Sequence, residues 1–290
     1  MMNFMAVPPL PDRLPSDHKG KFGHAFLVGG AIGMTGAAII AGRAALRCGA
    51  GLVTVAVPIA MQSVAASADP CYMTLGVDWS NADEHLRTVL CSNRYQRCTI
   101  AIGPGLGRSS ETDSLVRRLY RTWPNTLVCD ADALHALSEN SLEDWLATRA
   151  STANRILTPH PGEWERLCGE NAQDRNSQIA KANACAKQWN AIIVLKGQKT
   201  WVTDGERSLE NGTGNPSLAV GGSGDALTGI ITALVCQGMN AWDASVLGVH
   251  LHGLAADIAH RELGTPSTLA TELIHYLPHA FRSMSDKVPS

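Results

Sequence analysis

Three glycines and a serine run into an aspartate at Gly221-Gly-Ser-Gly-Asp-Ala-Leu227, and an apolar stretch, Ala226 to Val235, follows at once. Glycines placed this way let backbone N–H groups turn towards one point, which suits an anion. The apolar stretch reads as a helix, so its first-turn N–H groups, lacking partners within the helix, would face the same point. Gly222, Ser223 and Gly224 are thus a candidate phosphate cradle, and Asp225 is a carboxylate fixed beside it. That pairing suggests chemistry at a phosphate or at a hydroxyl next to one. An isolated GxGD is as readily a glycine turn with an aspartate cap, so the remaining segments decide.

Five of them end an apolar run in a glycine-rich or polar turn: Val28-Gly-Gly-Ala, Ile102-Gly-Pro-Gly-Leu-Gly, Val128-Cys-Asp-Ala-Asp, Leu157-Thr-Pro-His-Pro-Gly-Glu and Val194-Leu-Lys-Gly-Gln-Lys-Thr. The glycines Gly105 and Gly107 would let a ligand approach the backbone, or simply make a turn. His160, held between two prolines, presents its ring at low entropic cost. Glu163 reads either as part of that site or as a first-turn helix carboxylate. Lys196 and Lys199, with Thr200, suit a nucleotide phosphate or ribose, against the competing reading of a solvated hairpin edge. Asp130 and Asp132 could hold Mg²⁺ through water, although Asp132 also reads as a helix N-terminal carboxylate. Asn211-Gly-Thr-Gly-Asn-Pro-Ser leads into the opening motif as a loop able to fold over a ligand.

Several chemistries are excluded. Neither GxGxxG nor GxxxxGK[ST] occurs, since Gly103-Pro-Gly-Leu-Gly-Arg has the wrong spacing. Gly221 to Asp225 ends in aspartate, so it is no hydrolase elbow. The histidines show no metal-ligand spacing and no metal ligand is assigned. His250 and His252 lie on different faces of a helix and read as packing residues.

The elements that must position these residues are short β-branched runs alternating with helical stretches. Strands are expected at Ala25 to Gly29, Leu52 to Val57, Thr99 to Gly103, Thr126 to Asp130, Arg155 to Thr158 and Ala191 to Lys196. Helices are expected at Gly36 to Cys48, Ser110 to Thr122, Ala131 to Ser138 and Gln173 to Trp189. Thr200 to Glu210 reads as a hairpin about Asp204-Gly205. Beyond Ser223 the pattern is helical, through Trp242 to His260 and Ser267 to Phe281. The alternation predicts an α/β fold, a mostly parallel sheet with helices on both faces, and ligands outside the carboxyl ends of its strands. Without a composition break or repeat, residues 21–282 read as one domain behind an extended lead-in, 1–20, and ahead of a short tail, 283–290.

The bulk numbers agree. With 290 residues, 45% of them hydrophobic, the chain can fill a large core. Twenty-four basic and 26 acidic side chains, interspersed to a net charge of −2, leave no footprint for nucleic acid or an anionic membrane. Eight scattered cysteines without a CxxC pair look like reduced thiols of a cytoplasmic protein. The apolar Ala25 to Gly42 is better read as strand, glycine loop and helix than as a membrane span.

Taken in order, Gly23-His-Ala-Phe-Leu-Val-Gly-Gly30, Gly103-Pro-Gly-Leu-Gly107, Asp130-Ala-Asp-Ala-Leu134, Thr158-Pro-His-Pro-Gly-Glu163, Leu195-Lys-Gly197, and Asn215-Pro followed by Gly221-Gly-Ser-Gly-Asp225 resemble the ADP-dependent NAD(P)H-hydrate dehydratases. The likeness runs from about Lys19 to Leu277. It implies a ribokinase-like three-layer α/β/α sandwich and repair of the S-form hydrates of NADH and NADPH (NADHX and NADPHX), with ADP converted to AMP and phosphate. Carried over, Asp225 would face the hydrate hydroxyl as catalytic base, and Gly224 would contact the nucleotide together with Lys196, Gly197, Gln198, Lys199 and Thr200. Ala37, Gly105 or Gly107, His160 and Asp225 would meet the hydrated cofactor. Mg²⁺, a homo-oligomer (a homotetramer) and a separate epimerase are further expectations of the resemblance. Ser223 stands where threonine is usual, and Ala219-Val220 where a small polar residue is frequent. The rival reading is a small-molecule kinase of the same superfamily, acting on a hydroxymethyl group of a vitamin precursor.

Overall fold

The computed structural model describes residues 7–138, 154–169 and 174–285. Seven parallel strands form most of one sheet: β1 (His24–Val28), β2 (Leu52–Pro58), β3 (Met73–Val77), β4 (Thr99–Ile102), β5 (Leu127–Cys129), β6 (Arg155–Leu157) and β7 (Ile192–Leu195). The hairpin strands β8 (Trp201–Thr203) and β9 (Ser208–Glu210) extend it antiparallel, giving the order 3-2-1-4-5-6-7-8-9. The order reverses at β1, which lies between β2 and β4, so a crevice opens beyond the ends of β1 and β4.

The two faces of β1 show why the sheet is sandwiched. Ala25 and Leu27 belong to one buried cluster and Phe26 and Val28 to the other, as the period of two requires. The first cluster is filled by α1 (Thr35–Arg47), α2 (Gln62–Ala68), α8 (Ser223–Cys236), α9 (Ala241–Leu263) and α10 (Ala270–Ser285). The second takes α3 (Ala82–Leu90), α4 (Ser110–Thr122), α5 (Asp132–Ser138), α6 (Pro161–Cys168) and α7 (Arg175–Trp189). This is the three-layer α/β/α sandwich expected. The six anticipated strands and the hairpin are present; β3, α2, α3 and α6 had no counterpart in the reading of the sequence. Helix α5 starts one residue later than anticipated, because Ala131 adopts a left-handed φ of 48° and cannot be its first residue.

The anticipated tail boundary at 282 falls inside α10, which continues to Ser285. Residues 1–6 of the lead-in, 286–290 of the tail and Gln173 lie outside the described residues. All eight cysteines are free thiols. No helix among the described residues is long and apolar enough to cross a membrane, and Ala25 to Gly42 is β1, a loop and the first part of α1.

Helix α8 carries the opening motif and is apolar nearly all round, with eleven of its residues buried. Two contacts fix its position. On α1, a Cβ at Gly229 would lie 2.1 Å from the Ala41 carbonyl oxygen, so only glycine permits this close approach. On the sheet side, the Thr228 hydroxyl donates to Asp130 Oδ2 at 2.8 Å.

Candidate active site

At its N-terminus α8 begins on Gly222, whose φ of 91° is open to glycine and costly for other residues. Ser223 N–H is spent on the Val220 carbonyl at 3.3 Å, and Ala226 N–H on that of Gly222 at 3.0 Å. Among the described residues, no acceptor meets the N–H groups of Gly224 and Asp225 between them. Those two amides, at the positive end of the helix, are a candidate anion cradle. Of the expected set of Gly222, Ser223 and Gly224, the Ser223 N–H is therefore spent within the protein, while Gly224 keeps its donor and Gly222 supplies the turn.

Asp225 projects from the same turn. Burial, then the negative charge of Asp130, pushes its carboxyl up from 3.8 to about 6, with Glu163 and Asp132 adding to the effect and Lys196 opposing it. Asp130, 1% exposed, is saturated: Oδ1 accepts from Thr158 Oγ1 and Lys196 Nζ, each at 2.8 Å, and Oδ2 from Thr228. Lys196 Nζ also lies 3.7 Å from Glu163 Oε2. Burial works against the Lys196 charge, but Asp130, Glu163 and Asp225 outweigh it and hold its pKa above the usual lysine value. A Cβ on Gly224 would stand 3.3 Å from Lys196 Nζ, which places this ion pair directly under the cradle.

On one side of the cradle is a cavity of about 830 Å³. Its wall is lined by Lys196, Gly197, Gln198 and Thr200, by residues of the loop from Asn211 to Val220, by the apolar Leu227 and Val249, and by Ser223, Gly224 and His252. Lys199 is not part of the wall; its Nζ pairs with Glu210 Oε1 at 2.8 Å on the hairpin. Arg175 staples the Lys196–Lys199 turn by donating to the carbonyls of Leu195, Lys196 and Lys199 at 2.7 to 3.2 Å. The Asn211 loop, expected to fold over a ligand, is pinned to α9. Asp257 accepts from Gly214 N–H at 2.9 Å and Asn215 Nδ2 at 2.8 Å, and Thr213 Oγ1 donates to the His250 carbonyl at 2.9 Å.

On the other side, at the β1/β4 crevice, the two glycine loops interlock. Gly30 N–H donates to the Pro104 carbonyl at 3.0 Å and Ala31 N–H to that of Gly105 at 2.7 Å. Gly105 packs against Met34 and Ala37 of the loop and first turn of α1, since a Cβ there would lie 2.6 Å from the Met34 carbonyl oxygen and 3.1 Å from the Ala37 Cβ. Gly107 N–H is taken by Asp132 Oδ2 at 3.0 Å, and Arg108 Nε by Oδ1 at 3.0 Å. Asp132 is thus a brace for the loop. His160 caps α6: its Nδ1 accepts from Gly162 and Glu163 N–H at 3.1 and 3.4 Å, and Glu163 Oε2 returns a bond to His160 N–H at 2.8 Å. The half-exposed ring also lines the cavity. Sequence reading thus brought together Gly224, Asp225, Lys196 and the cavity wall, and brought Ala37 to Gly105. It missed Arg175, Asp257 and the contact of His252 with Ser223, which join elements far apart in the chain.

No group of three or more His, Cys, Asp or Glu side chains among the described residues forms a metal-holding set. Asp130 and Asp132 already accept from protein donors.

Unanswered amides at a helix N-terminus, an adjoining carboxylate and a side cavity thus meet at one end of a ribokinase-like α/β/α sandwich. A family model described as NAD(P)H-hydrate dehydratase, of the carbohydrate-kinase type, matches residues 25–279, and the chain belongs to that family. The bifunctional NAD(P)H-hydrate repair enzyme Nnr of Moorella thermoacetica is 39% identical over 288 residues, covering 96% of this chain and 53% of the relative. The Escherichia coli enzyme of the same description is 33% identical, over 92% of this chain and 49% of its own length. The chain thus spans about half the length of the curated relatives it matches. Among solved structures, the ADP/ATP-dependent NAD(P)H-hydrate dehydratase from Bacillus subtilis, co-crystallised with ATP/Mg²⁺, superposes with a TM-score of 0.81 at 28% identity and 95% coverage of both chains. Hydroxyethylthiazole kinase from Pyrococcus horikoshii shares the fold alone, with a TM-score of 0.61 at 15% identity over 94% of each chain.

Proposed function

We propose that this chain dehydrates the S-form hydrates of NADH and NADPH, with ADP as phosphoryl donor and AMP and phosphate as products. The observation that carries the reading is the adjacency, on consecutive residues, of unanswered amides and a carboxylate with a pKa near 6. The nucleotide occupies the 830 Å³ cavity, its base against the apolar Leu227 and Val249 and its terminal phosphate at Gly224. The hydrate lies along Ala37, Gly105 and the His160 cap, whose ring also lines the nucleotide cavity.

Asp225, ionised above pH 6, takes the proton of the ring hydroxyl as its oxygen attacks the transferring phosphoryl. Gly224 and Asp225 N–H groups hold the charge on that phosphoryl in its transition state, and AMP leaves. Hydroxide is a poor leaving group and phosphate a good one. The ring nitrogen lone pair then expels phosphate, the adjacent ring carbon loses a proton, and the double bond is restored. A magnesium ion accompanying the nucleotide would neutralise part of the phosphate charge. The ion pair of Lys196 with Asp130 stays beneath the cradle and sets the field felt by Asp225.

The deciding experiment incubates the protein with separated S and R hydrates of NADH and NADPH and with ADP or ATP. Return of reduced-nicotinamide absorbance from the S form, with AMP and phosphate in equal amounts, is expected. Accumulation of a stable phosphorylated compound would replace this reading with the kinase one. The chain's assembly as a homo-oligomer and its place in the cytoplasm are parts of the same proposal, checked by light scattering and fractionation.

A further inference from the structure

A buried histidine stands behind the cradle, from an element 29 residues further along the chain. His252 of α9 is 8% exposed and places Nε2 2.9 Å from the Ser223 carbonyl oxygen and 3.2 Å from Ser223 Oγ. A carbonyl only accepts, so Nε2 bears the proton and donates. Burial, partly countered by the hydrogen bond to Ser223 and reinforced by the Lys196 charge, brings the ring to about 4, so it is neutral in any physiological buffer. The Ser223 carbonyl and the Gly224 N–H are the two ends of one peptide unit. A donor on the oxygen draws electron density from the nitrogen and strengthens the N–H as a donor in turn. It also fixes the plane of that peptide, and with it the direction of the N–H.

We propose that His252 is a positioning residue for phosphate, acting through the Ser223–Gly224 peptide to aim and polarise the Gly224 N–H at the terminal phosphate of the nucleotide. The proposal rests on the nucleotide site assigned above, but not on the hydrate being the substrate. Packing alone would give His252 an effect on every ligand of the cavity. A polarised amide gives it an effect only on ligands that carry a phosphate at the cradle.

The test compares ADP with adenosine by calorimetry. In His252→Leu, ADP binding is expected to weaken about tenfold, as the Gly224 amide loses the donor that aims and polarises it, while adenosine changes less than about twofold. His252→Gln, whose Nε2 can reach the same carbonyl, is expected to recover most of the ADP affinity. Equal weakening of ADP and adenosine, or unchanged ADP binding in the leucine variant, overturns the proposal. Wild-type protein that binds ADP no better than adenosine removes the cradle itself and this role with it. Imidazole ¹⁵N spectra of the unaltered protein decide the matter even if the leucine variant fails to fold. A neutral ring protonated at Nε2 is expected, and the Nδ1 tautomer or an imidazolium refutes it. Should the wild type bind ADP and turn over no hydrate, the dehydratase reading falls while the ADP–adenosine contrast still judges His252.

Discussion

The two sides of Asp225 are built in opposite ways. On the crevice side, Gly30, Ala31 and Gly107 spend their amides on Pro104, Gly105 and Asp132, so the loops brace one another and leave a closed, shaped wall. On the cavity side, no acceptor among the described residues meets the amides of Gly224 and Asp225, and Gly224 lines a cavity of about 830 Å³. The first side is rigid because its polar groups are satisfied internally. The second is open to a ligand because its polar groups are not. Asp225 follows Gly224 directly, and its raised pKa comes from burial and from the negative charge of Asp130.

The largest effect is expected where the two sides meet. Asp225→Asn removes the base and should lower kcat by about a thousandfold or more, with ADP affinity within about twofold of wild type. Near-normal turnover in this variant would mean that the boundary carries no chemistry. Since the folded protein holds this carboxyl's proton up to about pH 6, against 3.8 ordinarily, its contribution to stability declines as pH rises between those values. The asparagine variant escapes that penalty, so it should melt higher than wild type at pH 8 and show no such advantage at pH 4. In wild type, kcat/KM should fall as pH drops through about 6, with the carboxylate lost to protonation.

Next in size is Lys196→Met, which breaks the tie between the sides. Asp130 is left buried beside two hydroxyls without its cation, at a cost of about 3–5 kcal/mol in stability measured by urea unfolding. Lys196 also lowers the Asp225 pKa, so its removal should move the acid limb of the pH profile to higher pH. A limb that stays put would show that Asp225 titrates independently of the ion pair.

The legible part of this molecule was what lies close in sequence. Parallel strands buried on both faces read as unbroken apolar runs, so β1, β2 and β4 to β7 could be placed, and the segments at their ends named. β3, Met73-Thr-Leu-Gly-Val77, was hidden because four of its five residues are only partly buried, and a short edge strand with a glycine gives no such run. Helix α6 was hidden because its cap is a histidine side chain, outside the Ser/Thr/Asp/Asn signature, although Glu163 three residues on was a visible half of the box. What joins distant elements was not legible at all. Asp130 to Thr228 spans 98 residues and Asp257 to Asn215 spans 42, and no local spacing says which helix face will meet which loop. Lys196 was placed at the right strand end, yet its bond to Asp130 rather than to solvent follows only from the sheet order, which sets β7 one strand away from β5.

The cavity side is opened by Asp257→Ala, a smaller change. Asp257 takes both Gly214 N–H and Asn215 Nδ2, so its loss frees the Asn211 loop without touching the cradle. KM for ADP should rise about five- to tenfold, from two hydrogen bonds no longer ordering the loop, while kcat at saturating ADP stays within about twofold. A fall in kcat with KM unchanged would instead assign Asp257 to the chemical step.

The smallest effect probes the rigid side. Ala131 sits between the two aspartates with a φ of 48°, a conformation that costs alanine roughly 1–2 kcal/mol. The flanking bonds of Asp130 to Thr158, Lys196 and Thr228, and of Asp132 to Gly107 and Arg108, hold it there. Ala131→Gly removes the steric cost and adds about 0.5–1 kcal/mol of unfolded-state entropy, so the net gain is about 0.5 kcal/mol. For a chain of this size that is a rise in Tm of about 1–2 °C by calorimetry, with kcat and both KM values unaltered. If Tm rises but KM for the hydrate climbs with it, the strain in this turn serves to press Gly107 and its neighbours into shape, and the closed side owes its form to tension rather than to hydrogen bonds alone.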